Sequence, residues 1–309
     1  MSTAAMARPA RSRTNLRGVL ALDKPAGLTS FDAVREVRRV LGERRVGHAG
    51  TLDPTATGLL PICVGSATRL VDYFHAQPKT YRCTVRLGER SDTFDTEGEV
   101  SPGGNASAMT PEAVRSALAG FVGEIMQVPP MHSAVRHQGR HLYELAREGQ
   151  EVERAPRPAR IDSADLIAFR PGVVAEADVL VTAGKGTYMR VLAADLGEAL
   201  GTGGLLQSLC RTRYGALAVE SAIPLEELLE LPEPANALLD PGVAVAHLPR
   251  VDLAAGPASQ LLRGQPVWLP RGIQPETDGE CAVVDASGHL LAVGMAQGGL
   301  LRPVKVLAR

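Results

Sequence analysis

Apolar and polar positions recur along the chain in two rhythms, one of period two and one near 3.6, and each predicts an element. Gly18 to Leu22 is a short apolar run that Asp23-Lys24-Pro25-Ala26-Gly27 breaks, and it reads as a strand. Thr29-x-x-Asp32 has the form of a capping box. Behind it Phe31, Val34, Val37, Val40 and Leu41 recur at helical spacing, so 30–42 is expected to be an amphipathic helix with Arg35, Arg38 and Arg39 on its other face. Residues 46–58, rich in Gly, Thr and Pro, read as an ordered loop, and a helix is expected near 67–76. Tyr81, Cys83, Val85 and Leu87 alternate with polar residues, the mark of a half-buried strand. Ser91 to Asn105 is acidic and Gly-rich, a loop, and Thr110-Pro111 opens a helix with Pro at its first position.

Further along, a short helix is expected at 141–148, strands near 160–169 and 177–183, and a helix from Gly186-Thr187 to about Leu200. A turn at Gly201–Gly204 precedes strands near 205–210 and 214–219, and 224–249 reads as a linker helix plus a connection. From Arg250 the texture changes to short strands. Asp285-Ala286-Ser287-Gly288 between two apolar runs is a hairpin signature, so the last sixty or so residues are expected to form a small β-barrel. Runs of strands without strict βαβ alternation predict an α+β architecture. The expected division is a disordered basic tail at 1–17, a large domain at 18–245 and a small one at 250–309.

Composition changes this picture little. At 309 residues, with 45% hydrophobic and 22% charged positions, the chain can bury a sizeable core. No apolar run approaches the roughly 18–20 residues of a membrane span. The first seventeen residues lack the apolar stretch of a secretory signal. Cys63, Cys83, Cys210 and Cys281 form no CxxC pair and the seven histidines lack ligand spacing, so free thiols in a reducing cytoplasm are expected, with no metal. Gly184-Lys185-Gly186-Thr187 is not a phosphate loop, because no Ser or Thr follows the Lys. The net charge of −1 hides an asymmetry: residues 1–47 carry +6 and residues 216–309 carry −5. A basic half permits a polyanion partner, although charge runs are commonly just solvated faces.

Candidate chemistry concentrates in Val46-Gly47-His48-Ala49-Gly50-Thr51-Leu52-Asp53-Pro54-Thr55-Ala56-Thr57-Gly58. One carboxylate, Asp53, sits in its middle with His48 five residues earlier. Taken locally, Asp-Pro is a common turn starter and His48 an ordinary loop histidine. Both readings stay open on this stretch alone.

The wider pattern is more specific. Lys24-Pro25-x-Gly27-x-Thr29-Ser30, followed by Gly47-His48-x-Gly50-Thr51-Leu52-Asp53-Pro54-x-Ala56-Thr57-Gly58, resembles the signature of the TruB/dyskerin pseudouridine synthase family. Four further segments resemble that family in order: Lys79-Thr80-Tyr81; Gly88-Glu89-Arg90-Ser91-Asp92-Thr93 with Asp95 and Gly98; Gln127 to Arg136 with Gly139, Tyr143 and Gly149; and Gly184 to Arg190 with Asp195-Leu196-Gly197. The resemblance runs from about Gly18 to Gly215. Two positions depart from it: His132 stands where the family often has Phe or Tyr, and Arg136 where Lys is usual.

The resemblance implies a catalytic domain built on a mixed, largely antiparallel sheet flanked by helices, with an RNA-contacting insertion around 128–160. Val283 to Gly294 resembles a strand pair of a PUA-like RNA-binding barrel. It implies conversion of uridine 55 in the tRNA T-loop to pseudouridine by a monomeric cytoplasmic enzyme that needs no cofactor. Asp53, Tyr81 and Arg190 are the implied catalytic residues. Breaking the glycosidic bond leaves the ribose anomeric carbon electron-poor, which calls for an ionised carboxylate, as in glycosidases. Arg190 is the implied partner that keeps Asp53 charged. Tyr81 is implied to stack on the uracil, Tyr188 and Leu209 to line its pocket, and His48 to enter the opened loop. Lys24 and Arg136 complete the implied substrate contacts. The base must leave its stack first, at a cost of a few kcal/mol. Two rivals are an RNA-folding chaperone, as an added or sole role, and an enzyme steered by guide RNA.

Overall fold

The computed structural model describes residues 16–133, 135–269 and 278–307, so most of the expected tail at 1–17 lies outside the described residues. In chain order, β1 (Gly18–Lys24), α1 (Ser30–Leu41), β2 (Val46–His48), β3 (Thr57–Val64), α2 (Val71–His75) and β4 (Lys79–Leu87) open the large domain. A small ribbon, β5 (Glu89–Ser91) with β6 (Val100–Pro102), leads to α3 (Pro111–Ala119) and β7 (Gly123–Gln127). The ribbon β8 (Arg136–His137) with β9 (Arg140–His141) and helix α4 (Leu142–Arg147) occupy the expected insertion. Then come β10 (Arg157–Arg170), β11 (Ala175–Ala183), α5 (Met189–Ala199), β12 (Gly204–Tyr214), β13 (Leu217–Ala218), β14 (Ile223–Pro224) and α6 (Leu225–Glu230).

The main sheet runs β14-β1-β3-β12-β4-β11-β10-β7, with β2 on β3 and β13 on β12. The β1–β14 and β3–β12 pairs are parallel and the rest antiparallel, as expected of a mixed, largely antiparallel sheet. On one side α3 and α5 cover β4, β10, β11 and β12 around Leu118, Val179, Leu192 and Leu196. Near the other end α1 and α6 cover β1 and β3 around Val34, Val37, Leu60 and Leu228. Helix α1 forms as its spacing predicts. The Thr29 side chain accepts from Asp32 N, the Asp32 carboxylate accepts from Thr29 N, and Gly42 ends the helix at φ 62°. The exception is Phe31, which is 59% exposed, while Ala33 takes its expected place in the core.

The last segment holds β15 (Arg250–Asp252), α7 (Ala255–Leu262), β16 (Val267–Trp268), β17 (Gly279–Val284), β18 (Leu290–Gln297) and β19 (Leu300–Val306). Its strands form a curled sheet in the order β15-β17-β18-β19-β16, a half-barrel where a barrel was expected. The Asp285–Gly288 hairpin turn lies between β17 and β18 as predicted. Helix α7 was not foreseen. Its alanines and leucines pack on the sheet, where Ala258 and Leu261 join Val251, Val283 and Leu301 in a core. Ala282, Val284, Leu290 and Val293 instead share a core with Val19, Leu59, Phe74 and Tyr214 of the main domain. The small segment is therefore welded to the back of β1 and β3.

Three corrections concern the strands. β3 was not anticipated, because Pro61 lies mid-strand, where a proline ordinarily argues against a central position. Pro61 is tolerated because its carbonyl, which accepts from Ala49 N at 2.8 Å, is the group the neighbouring chain needs. Residues 46–48, taken as loop, pair with β3 because Val46 is buried. The strand expected at 214–219 is instead the end of β12, the turn at Gly215 and the two-residue β13. The helix in 224–249 is only the six residues of α6, followed by short 3-10 turns that start at Pro234 and Pro241.

The motif glycine Gly197 fixes how α5 sits on β12. A Cβ there would lie 2.1 Å from Gly203 C and Gly204 N. Gly197→Ala is expected to push the helix off the sheet and cost about 1–3 kcal/mol, as overpacking does. Urea unfolding of the purified variant checks this.

Candidate functional site

Asp53 stands in the loop between β2 and β3, at the place where one edge of β3 changes partner. Residues Ile62–Val64 of that strand pair with β2, and Thr57 and Gly58 pair with β12. The loop leaves through the gap, and Arg211 of β12 fills it. Its Nε donates to Leu59 O at 2.7 Å and its Nη2 to Gly50 O at 3.1 Å. The loop is fastened on its other side as well. Ser30 Oγ donates to Leu52 O at 3.0 Å and accepts from Leu52 N at 2.8 Å. Gly27 N donates to Pro54 O at 2.9 Å, and Ala56 N to Asp53 O at 3.1 Å. Gly50 has φ 88°, and a Cβ there would meet the Tyr214 ring at 3.2 Å, so the motif glycine is required twice.

Lys24 was expected to contact substrate. It is wholly buried, and its Nζ donates to Pro25 O (2.8 Å), Leu28 O (2.8 Å) and Pro54 O (3.3 Å). It acts on a ligand only through the loop it holds. Burial pushes its ammonium down to about 8, against an upward pull from Asp53 and with a further push from Arg211. The unfolded lysine keeps its ordinary value near 10.5, so the unfolded chain binds the extra proton between those limits. The Lys24 contribution to stability therefore rises as pH goes from about 8 to 10.5. Lys79 is lowered in the same way, so unfolding free energies across that range are expected to rise more steeply in wild type than in Lys24→Met, in which only the Lys79 part remains.

Arg190, in the first turn of α5, is 6% exposed and lies between two carboxylates. Its Nε is 3.2 Å from Asp53 Oδ2 and its Nη1 3.4 Å from Asp95 Oδ2. Nη2 donates to His132 O at 2.8 Å and Nη1 to Thr93 O at 3.4 Å. The guanidinium fork is fully used, which a lysine could not reproduce. Asp95 is buried and also accepts from Thr93 Oγ1 (2.6 Å) and Glu97 N (3.0 Å), whereas the Asp53 side chain is 39% exposed. One partner is thus enclosed and the other faces open space. The start of α5 is set by Gln127, whose amide oxygen accepts from Tyr188 N at 2.9 Å and whose Nε2 donates to Tyr188 O at 3.2 Å.

That open space is a cavity of about 670 Å³, within the size range of small-ligand sites. Asp53, Tyr81, Tyr188, Arg190 and Leu209 all line it, so five of the eight expected site residues come together. Lys79, Ser133, Lys185 and Arg211 also border it. Among the described residues Asp53 is its only acidic lining residue, in a wall otherwise rich in Lys and Arg. Tyr81 of β4 lies directly opposite Arg211 in the β4–β12 register. Burial pushes the Tyr81 phenol up, and the Arg211 guanidinium works against that. Lys79 Nζ sits 4.5 Å from the Tyr214 ring centre, and burial, with Arg211 nearby, pushes it down to about 8.

His48 and Arg136 do not line the cavity. His48 is half-buried on β2, and its Nδ1 is enclosed with no hydrogen-bond partner. Burial, Arg211 and His75 push its imidazole down, so it is neutral at pH 7. Arg136 is exposed on the β8–β9 ribbon. Sequence reasoning passed over Asp95, Gln127, Lys79 and Arg211. The first three lay within the motif segments quoted above, where they carried no assigned role. Arg211 followed Leu209 by two, on the same strand face, and that spacing was its only signal.

The fold recurs in solved structures. One, described as "Structure of H/ACA RNP bound to a substrate RNA containing 2'-deoxyuridine", superposes with TM-score 0.72 at 24% identity, covering 94% of this chain and 85% of that one. Another, "Crystal Structure of a Cbf5-Nop10-Gar1 Complex", gives 0.71 at 25% identity with the same coverage. The family model "TruB family pseudouridylate synthase (N terminal domain)" matches residues 38–189. That match spans about half of the chain and points to the pseudouridine synthases. A protein of Ralstonia pickettii named tRNA pseudouridine synthase B is 45% identical over 308 residues, spanning 96% of this chain and 95% of its own. One of the same name from Dehalococcoides mccartyi is 40% identical, spanning 94% and 96%. The chain belongs to the TruB family.

Proposed function

We propose that the enzyme acts on tRNA and converts uridine 55 of the T-loop to pseudouridine, with Asp53 as the catalytic carboxylate. The observation that carries this reading is the Asp53–Arg190 pair, 3.2 Å apart at the wall of a basic cavity. The name shared by its relatives supports the choice of RNA.

The uridine leaves the T-loop stack and enters the cavity, where the lining cations meet its phosphates. The bond from C1′ to N1 breaks while Asp53, held ionised by Arg190, acts at the electron-poor ribose. The uracil turns, C1′ bonds to C5, the C5 proton leaves, and N1 gains a proton. No atom is gained or lost. Tyr81 holds the uracil face and its hydroxyl serves the proton transfer at C5. Arg190 can pull on Asp53 without swinging away, because Asp95 and two carbonyls fix its other nitrogens.

Tyr81→Phe keeps the ring and loses the hydroxyl. It is expected to bind tRNA like wild type and to lose roughly 10²–10⁴-fold in turnover, the usual worth of a positioned proton-transfer group. Filter binding and single-turnover assays separate the two effects. The function itself is tested by incubating the pure protein with an unmodified tRNA transcript and no other component. Release of tritium from C5-labelled uridine is expected with no guide RNA. A requirement for a guide, or RNA refolding without release, would overturn the proposal in favour of the rival readings.

A further inference from the structure

The outer face of α1 is not used by the site, yet it carries an exposed aromatic ring and a run of guanidinium groups. Phe31 projects from its first turn with 59% of its surface exposed, and the Arg38 guanidinium carbon lies 5.8 Å from the ring centre. Arg38 is anchored by its Nη2, which donates to Val46 O at 2.7 Å, while its enclosed Nε has no hydrogen-bond partner. Beyond it an open groove of about 500 Å³ is lined by Arg35, Arg38, Arg39, Gly42, Glu43 and Arg44. Asp32 pairs with Arg35 at 2.8 Å and Glu36 with Arg39 at 2.8 Å, each at the surface. Such exposed pairs hold weakly and exchange readily for a phosphate.

Position gives this face its meaning. Ser30, the first residue of α1, is hydrogen-bonded twice to Leu52, next to Asp53. The helix therefore starts at the site and, at about 1.5 Å per residue, Arg35 and Arg39 lie roughly 7.5 and 13.5 Å along its axis from Ser30. An exposed aromatic ring near the site with guanidinium groups beyond it matches a nucleic acid strand with one unpaired base and a run of phosphates. A purely apolar partner would leave the guanidinium groups unpaired, and an acidic partner without a flat base would leave the ring uncovered.

We propose that the outer face of α1 is a second RNA-docking strip. Phe31 packs on an unpaired base close to the target, and Arg35, Arg39 and Arg44 hold phosphates of the flanking stem. This rests on the reading that the substrate is tRNA, but it is tested by binding alone. Two full-length variants suffice for the arginines: Arg35→Gln/Arg39→Gln/Arg44→Gln, and a control, Arg115→Gln/Arg170→Gln/Arg263→Gln, with the same charge loss elsewhere. Kd for a tRNA transcript is measured by filter binding from 50 to 300 mM KCl. The first triple variant is expected to bind at least about tenfold more weakly at low salt, with a log–log salt slope shallower by roughly 2–3. Phe31→Ala is expected to weaken binding about tenfold with the slope unchanged. Unchanged binding in the first triple variant, or equal weakening in the control, would overturn the proposal. Failure of wild type to make pseudouridine would overturn the catalytic reading and leave this binding result interpretable.

Discussion

Asp53→Asn is expected to lower pseudouridine formation by roughly 10⁴-fold or more while tRNA binding stays within a few-fold of wild type. The substitution keeps the volume and one oxygen, and removes only the charge. The Asp53 backbone is held by the loop and not by its carboxylate: Ala56 N bonds the Asp53 carbonyl, and Ser30, Lys24 and Arg211 fasten the residues on either side. The loop should therefore keep its shape. What is lost is the one negative group that faces the cavity among the described residues, and with it the means of meeting positive charge at the ribose. Positioned proton-transfer groups alone are worth about 10²–10⁴. A group that also opposes a full charge, or bonds to the carbon, is expected at the top of that range or above it. Single-turnover tritium release, with binding measured in parallel, tests both halves.

Arg190→Met is expected to remove activity to a similar degree and, unlike Asp53→Asn, to destabilise the fold. Arg190 touches two carboxylates and two carbonyls. Asp95 is buried, and without the guanidinium its charge has no cationic partner among the described ion pairs. Breaking a buried ion pair on one side costs about 3–5 kcal/mol. Arg190→Met/Asp95→Leu removes both charges and is expected to recover much of that stability without recovering activity. Arg190→Lys keeps one charge but cannot span all four acceptors, so it should be intermediate in stability and nearly inactive. Chemical unfolding and tritium release distinguish these outcomes. Arg190→Met that unfolds at the wild-type midpoint would mean that the pair with Asp95 does little for the fold.

The sequence carried much of this arrangement, and where it fell short the causes are physical. Helix α1 was legible because Thr29, Asp32 and Gly42 mark its ends and valines mark its inner face. Phe31 fitted the same periodicity and yet points outward, since the pattern gives a stripe and not its edges. Strand β3 was hidden by Pro61 and by the lack of alternation in a strand buried on both faces. Asp53, Tyr81, Arg190, Tyr188 and Leu209 were named from the family resemblance and meet at one cavity. Lys24 was named from the resemblance as a substrate contact, and its burial was not legible in the sequence. Here the carbonyls of Pro25, Leu28 and Pro54 accept from its ammonium. Asp95 and Arg211 were missed because their partners are far away in sequence: Asp95 meets Arg190, and Arg211 meets Gly50 and Leu59. No local pattern records such pairings.

The most direct test is to map pseudouridine, nucleotide by nucleotide, on an unmodified tRNA transcript treated with the pure wild-type protein and, in parallel, with Asp53→Asn. Pseudouridine at position 55 alone with wild type, and none with the variant, is the expected result. Pseudouridine elsewhere, or at position 55 with the variant as well, would contradict the assignment of Asp53 and its cavity to that uridine.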